Sequence, residues 1–334
     1  MDLGIDFGLF NGLFNGSLGF YRKISTDVLL DRPAPTSATG LGSILVNAED
    51  VVVRNLGVEF ELTANIIRKK DFRWTADLNI STNQNKVLET GGIPPDGFGA
   101  AAGDTRVIKG YPIGISFIAK SAGVNPATGN EMVYSLVDGK PFDALKQSDI
   151  TSNRQPLGKP FPDFIGGLNN TLSYKNFELS FLFSFSQGNK IYDDGAKRQM
   201  GGFINTWNQR TETLARWQKP GDITNIPKLS ITGSSFTGSD RNTSRFLFDA
   251  SFIRLRSLNF AYNLPASAIR KVGLSSAKLF INGSNLLTIT KYKGWDPEVI
   301  RNFASSAEAN IAFDAPYLAT PQSKAIIVGI NIGF

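Results

Sequence analysis

Apolar and polar residues alternate along this chain with a period of two, in one stretch after another. Side chains on a β-strand point to opposite faces in turn, so such a stretch reads as a strand with one apolar face. The clearest case is 72–83. Phe72, Trp74, Ala76, Leu78, Ile80 and Thr82 oppose Arg73, Thr75, Asp77, Asn79, Ser81 and Asn83. Residues 56–67 behave alike, with Leu56, Val58, Phe60 and Leu62 on one face and Glu59, Glu61 and Thr63 on the other. At the carboxyl end, Ile326, Val328, Ile330, Ile332 and Phe334 oppose Ile327, Gly329, Asn331 and Gly333. Leu3, Ile5, Phe7 and Leu9 alternate with small or acidic residues, and Asn11-Gly12, a strong hairpin signal, follows.

Further strands are predicted at about 13–23, 106–119, 164–174, 177–187, 246–262 and 277–289. Within 246–262 the apolar phase slips, which predicts a β-bulge near Arg254–Ser257. That makes ten strands in all. Short helices fit only at 209–218 and 266–272.

Two all-β architectures share this alternation. A soluble sandwich turns its apolar face inward. A membrane barrel turns it to lipid and lines its interior with polar residues. Three features favour an antiparallel transmembrane β-barrel. The strands are long: soluble strands cluster at about 5–6 residues, whereas roughly 9–11 cross a bilayer. Short connections (11–12, 68–71, 175–176) alternate, imperfectly, with long ones (120–162, 188–245, 291–321). Aromatics gather near strand ends, at Phe20 and Tyr21, Phe72 and Trp74, Tyr174 and Phe177, and Phe334. If the last strand ends on the periplasmic side, the long loops are extracellular.

Composition narrows the chemistry. The 334 residues contain no cysteine and no histidine. Disulfides, thiolate nucleophiles and the usual neutral-pH base are therefore missing. Carboxylate catalysis remains conceivable, with 29 Asp and Glu, but no spacing selects a pair, so no catalytic residue and no cofactor is expected. The net charge of +6 is spread out, and Arg68-Lys69-Lys70 is only a turn, so nucleic acid is not an expected partner. No stretch approaches eighteen consecutive apolar residues, so no transmembrane helix is expected. Met1-Asp2 opens no signal peptide, so an exported protein would need sequence upstream.

Several segments, in order, resemble the carboxyl-terminal half of SusC/RagA-type TonB-linked (TonB-dependent) outer-membrane transporters. They are Asn55-Leu-Gly-Val-Glu-Phe-Glu-Leu62 and Phe72-Arg-Trp-Thr75 with Asn79-Ile-Ser81. Next come Ala122-Gly-Val-Asn-Pro-Ala-Thr-Gly129 and Arg216-Trp217 with Pro220-Gly-Asp222. The last are Ser251-Phe-Ile-Arg-Leu-Arg-Ser-Leu258, and Gly294 with Asp296-Pro-Glu298. The resemblance implies that residues 1–334 are about ten strands of a larger barrel, without its plug and amino-terminal strands. It implies a bacterial outer-membrane importer of bulky nutrients, oligosaccharides or peptides. Its partners would be a SusD-like surface lipoprotein, the TonB complex and membrane lipid. A passive porin and a soluble β-rich carbohydrate-binding protein are the alternatives.

Trp207, Trp217 and Trp295 fall in long loops, where an aromatic face could stack on substrate or pack the loop. Asp296 and Glu298 are ligands of the type hard cations prefer, but two are too few for a dedicated metal site. Glu59, Glu61, Asp77 and Arg73 are expected on the inner face, pairing across strands.

Overall fold

A computed structural model describes residues 1–33, 40, 43–91, 99–100, 105–200, 208–229, 242–299 and 319–334. Nine strands form one antiparallel sheet. In chain order they are β1 (Asp2–Leu9), β2 (Phe14–Ser25), β3 (Val51–Arg68), β4 (Phe72–Thr90) and β5 (Phe164–Tyr174). They continue as β6 (Phe177–Gln187), β7 (Phe252–Asn263), β8 (Ser276–Thr290) and β9 (Ala325–Gly333). Spatial order follows chain order, so each strand lies beside its predecessor.

The strand expected at 106–119 is not part of this sheet. Thr105–Arg106 and Ile115–Ala119 belong to a separate small sheet with Arg154–Leu157. Pro112 and the positive φ of Gly110 and Gly114 break the stretch. Nine strands rather than ten also repair the loop alternation. Connections 10–13, 69–71, 175–176 and 264–275 lie at one end, and 26–50, 91–163, 188–251 and 291–324 at the other.

Backbone bonds align the short end. Lys175 N–H donates to Asp71 O at 2.8 Å, Asn263 N–H to Asn176 O at 2.9 Å, and Ser275 N–H to Gly333 O at 2.8 Å. Lys175-Asn176 is a two-residue turn with Lys175 at φ 53°. The Asn11-Gly12 hairpin is wider than its sequence suggests. Leu9 pairs with Phe14, leaving the four residues Phe10–Leu13 as the loop. The expected bulge is present, as register shifts between Leu255 and Ser257 and between Leu182 and Phe183.

The packing is inside-out. Across the sheet Leu62, Leu78, Leu168, Phe183, Leu255 and Leu287 form one continuous row on the apolar face. That row is not covered by a second layer: Leu287 and Ile289 are exposed, as are Ile326 and Val328 on β9. The four buried clusters all sit at the long-connection end. They centre on Val51 and Val87, on Ile118 and Tyr192, on Val133 and Ile150, and on Ile191 and Tyr292. The long connections thus fold into a capped layer, and the sheet is a wall beneath it. Gln147–Thr151, Asp194–Met200 and Ala266–Ile269 are short helices, and Thr211–Ala215 is a 3₁₀ turn.

Candidate functional site

The polar face of the sheet and the loop layer above it bring together several clusters of charged residues. On the face itself, Asp77 accepts bonds from Thr63 on β3 (2.8 Å) and Asn169 on β5 (3.3 Å). Glu178 accepts from Asn263 (2.7 Å) and Lys278. Cross-strand bonding therefore holds for Asp77, though through neutral donors rather than an opposite charge. It does not extend to Glu59, Glu61 and Arg73, which face Ser81, Asn79 and Arg68 in register and form no salt bridge among the described residues. Glu59 and Glu61 are exposed and line a cavity of about 630 Å³ with Asn79, Ser184, Asn189 and Glu298.

Glu298 enters that cavity on a strap from the loop layer. Arg254 on β7 donates to Asp296 (2.6 Å) and reaches Glu298 (3.0 Å); Arg256, in the bulge, also bonds Glu298. Arg256 further donates to Ser184 (2.9 Å) and Gln322 (2.8 Å). Residues two positions apart share a strand face, so both arginines meet one strap, and the extra residue of the bulge lets Leu255 and Leu258, three apart, both stay on the apolar face opposite Phe183 and Phe181. Burial alone would raise the Asp296 pKa. The Arg254 bond and the backbone N–H groups of Glu298 and Gln322 outweigh it, so the carboxyl is held below its ordinary value. These carboxylates are ion-pair partners of arginine, which leaves no free pair for a cation. Among the described residues no group of three metal-type ligands occurs.

A second polar knot ties the loop layer together. Tyr292 donates to Asp193 (2.9 Å), and Lys197 reaches Asp194 (2.7 Å) and Asn242 (2.9 Å), all buried. Burial, then the Asp193 charge, pushes the Tyr292 pKa up. Asp194 is held low, because Lys197 and Arg198 outweigh the cost of its burial.

The third arrangement joins two segments far apart in sequence. Asp143 accepts from Asn125 (2.7 Å), Thr128 (2.7 Å) and Asn130 (2.8 Å), so the turn 125–130 wraps its carboxylate. Trp217 lies on that turn and donates its indole N–H to Pro126 O at 2.9 Å. Gly129 has φ +72°, and a Cβ there would meet the Trp217 ring at 2.4 Å. Glycine is thus required twice over, by conformation and by contact.

Trp217 is accordingly half-buried as part of a loop clamp. Trp295 is 59 % exposed beside the strap. Trp207 lies outside the described residues. Sequence reasoning missed Asp143, Arg254 and Arg256 as organisers; the two arginines sit in the segment 251–258 singled out above and Asp143 in none, and spacing along the chain does not show what they touch.

No family model matches the chain. Over its whole length it is 32% identical to "TonB-dependent receptor P26" and 30% identical to "TonB-dependent receptor P3", both of Formosa agariphila, covering 34% of each. It is 25% identical to "TonB-dependent receptor SusC" of Bacteroides thetaiotaomicron over 99% of the chain and 31% of that protein. The fold matches the structure of the RagAB peptide transporter with a TM-score of 0.80 at 25% identity, covering all of this chain and 34% of that one. It also matches the RagAB peptide importer in its open-open state, with a TM-score of 0.79 at 26% identity. The chain spans about a third of the length of the curated relatives it matches.

Proposed function

We infer that this stretch of a SusC/RagA-type TonB-dependent receptor forms part of the wall of an outer-membrane nutrient importer, with its apolar face against lipid and its polar face on the transport path. The observation that carries this is the inside-out sheet: a single layer with exposed leucines and isoleucines on one face, and its buried cores confined to the loops. The match of the whole of this chain to about a third of two TonB-dependent receptors supports it.

Residues 1–334 would be the carboxyl-terminal part of the barrel. The first and last strands of the sheet, β1 and β9, each have one unpaired edge among the described residues. Lipid does not tolerate open edges, because unpaired backbone groups there find no water. We read the barrel as closing through further strands.

The substrate class we propose is oligosaccharide or peptide, the RagAB neighbours being peptide importers. A SusD-like lipoprotein would cover the loop layer, and the TonB complex would drive opening. Among the described tryptophans, Trp295, exposed beside the strap, is the one free to meet a substrate, and Trp217 serves the clamp.

The test is uptake of labelled oligopeptides and oligosaccharides by cells making the receptor that carries this chain, with and without TonB. TonB-dependent uptake of one class supports import. Uptake unchanged without TonB would point to a passive pore, and recovery of the protein in the aqueous fraction would end the membrane reading.

A further inference from the structure

The apolar face carries a charged feature at its long-connection end. Register places Arg22 of β2 opposite Leu56 of β3, and Arg54 of β3 directly opposite Lys86 of β4. All three share parity with Phe20, Leu56, Val58 and Thr82, the outward-facing set. They sit just beyond the apolar band, on three adjacent strands.

None of the three forms a salt bridge with a carboxylate among the described residues. Arg22 and Lys86 are exposed, while the Nε of Arg54 is buried without a hydrogen-bond partner. Like charges directly opposite on a sheet repel and destabilise it, unless an anion lies between them. Nearby acids are committed elsewhere: Glu89 to Lys109, and Asp163 to Lys159.

The three cations, together with the Lys159–Asp163 ion pair, line one cavity of about 810 Å³, whose floor includes Leu3, Phe20, Leu56 and Val58. Most of the sheet residues that line it, among them Leu3, Phe20, Leu56, Val58, Thr82 and Gln84, have the outward parity, while Tyr21, Gly57, Asn83 and Asn85 of the other parity border it as well. It is cationic at the rim and apolar below. That shape and polarity fit an amphiphile with an anionic head at the interface and hydrocarbon along the wall.

We propose that Arg22, Arg54 and Lys86 form a binding site for the phosphate-bearing headgroup of an outer-leaflet lipid, whose acyl chains lie over Leu3, Phe20, Leu56 and Val58. This rests on the outer-membrane reading above. The three residues are more than thirty positions apart from first to second and from second to third, so no basic run marks them in the sequence.

Native mass spectrometry of the detergent-purified receptor tests this. The probes are bisphosphorylated lipid A and the same lipid with its phosphates removed. The variants are R22Q/R54Q/K86Q and, as a matched charge control at the opposite end of the sheet, K69Q/K70Q/K175Q. Detergent-phase partition is measured on every sample.

The expected result is a preference for the phosphorylated lipid of roughly tenfold or more in the wild type, retained by the control and lost in R22Q/R54Q/K86Q. Retention of the bound lipid in millimolar inorganic phosphate is expected, since the apolar floor contributes. No preference in the wild type, equal loss in both variants, or displacement by free phosphate would overturn the lipid site while the protein still partitions into detergent. Partition of the wild type into water would instead remove the membrane reading itself.

Discussion

The indole N–H of Trp74 donates to the side-chain oxygen of Asn170 at 3.0 Å, on the apolar face of the sheet. Asn170 is only 7 % exposed and lies between Ala76 and Phe181 in register. Its amide survives on an apolar face because the neighbouring tryptophan occupies it. Trp74→Phe keeps the ring and removes the donor, leaving a buried acceptor unpaired. The expected cost is about 1–3 kcal/mol in urea unfolding from lipid vesicles. Trp74→Phe with Asn170→Leu should recover most of that loss; an additive double variant would show that the two side chains do not depend on each other.

The faces of β4 should respond oppositely to charge. Leu78 lies between Leu62 and Leu168 on the apolar face, and Asn79 beside it points the other way. Leu78→Arg is expected to cost about 2–4 kcal/mol near the bilayer midplane, as is Phe181→Arg. Asn79→Arg should cost far less, because its side chain meets water. Equilibrium folding into vesicles measures all three.

The strap should depend on its arginine. Arg254→Met removes the buried partner of Asp296 and one partner of Glu298, leaving uncompensated charge. Breaking a buried pair in this way costs about 3–5 kcal/mol. Because the strap belongs to the loop layer, the expected readout is local: proteolysis within 291–299 accelerates while the sheet stays intact. Adding Asp296→Leu and Glu298→Leu to Arg254→Met should restore protection.

Acid should loosen the loop layer. The Asp143 carboxyl is held low, since bonds from Asn125, Asn130 and Thr128 and the Lys228 charge outweigh its burial; Asp194 and Asp296 are also held low. A carboxylate with a depressed folded pKa stabilises the fold above its unfolded value of about 3.9, and this is lost as pH falls through the folded value. Loop proteolysis near Trp217 should therefore be flat from pH 7 to about 5 and rise below about 4. Asp143→Asn should remove part of that acid dependence.

Much of the wall was legible because period-two alternation is a local signal. Residues 72–83 state their own faces, and the bulge near Arg254–Ser257 showed as a slip in phase. The stretch 106–119 misled for the same reason: Val107, Ile115 and Ile118 are apolar because they pack under loops, not because they cross a membrane. The loop contacts were not legible. Asp143 and Trp217 meet Asn125–Gly129 only after the chain has folded back, and no periodicity encodes that. Nor could the sequence show that Asp296 and Glu298 belong to Arg254 and Arg256, some forty residues earlier.

Accessibility along β4 tests the inside-out wall most directly. The chain has no cysteine, so single cysteines introduced from 74 to 82 carry one spin label each without background. In vesicles, labels at Trp74, Ala76, Leu78 and Ile80 should collide with lipid-soluble oxygen. Labels at Thr75, Asp77, Asn79 and Ser81 should collide with a water-soluble nickel chelate. A period-two alternation between the two relaxants is the expected result. Equal access to the chelate at Leu78 and Asn79 would contradict a membrane wall and return the sheet to the aqueous phase.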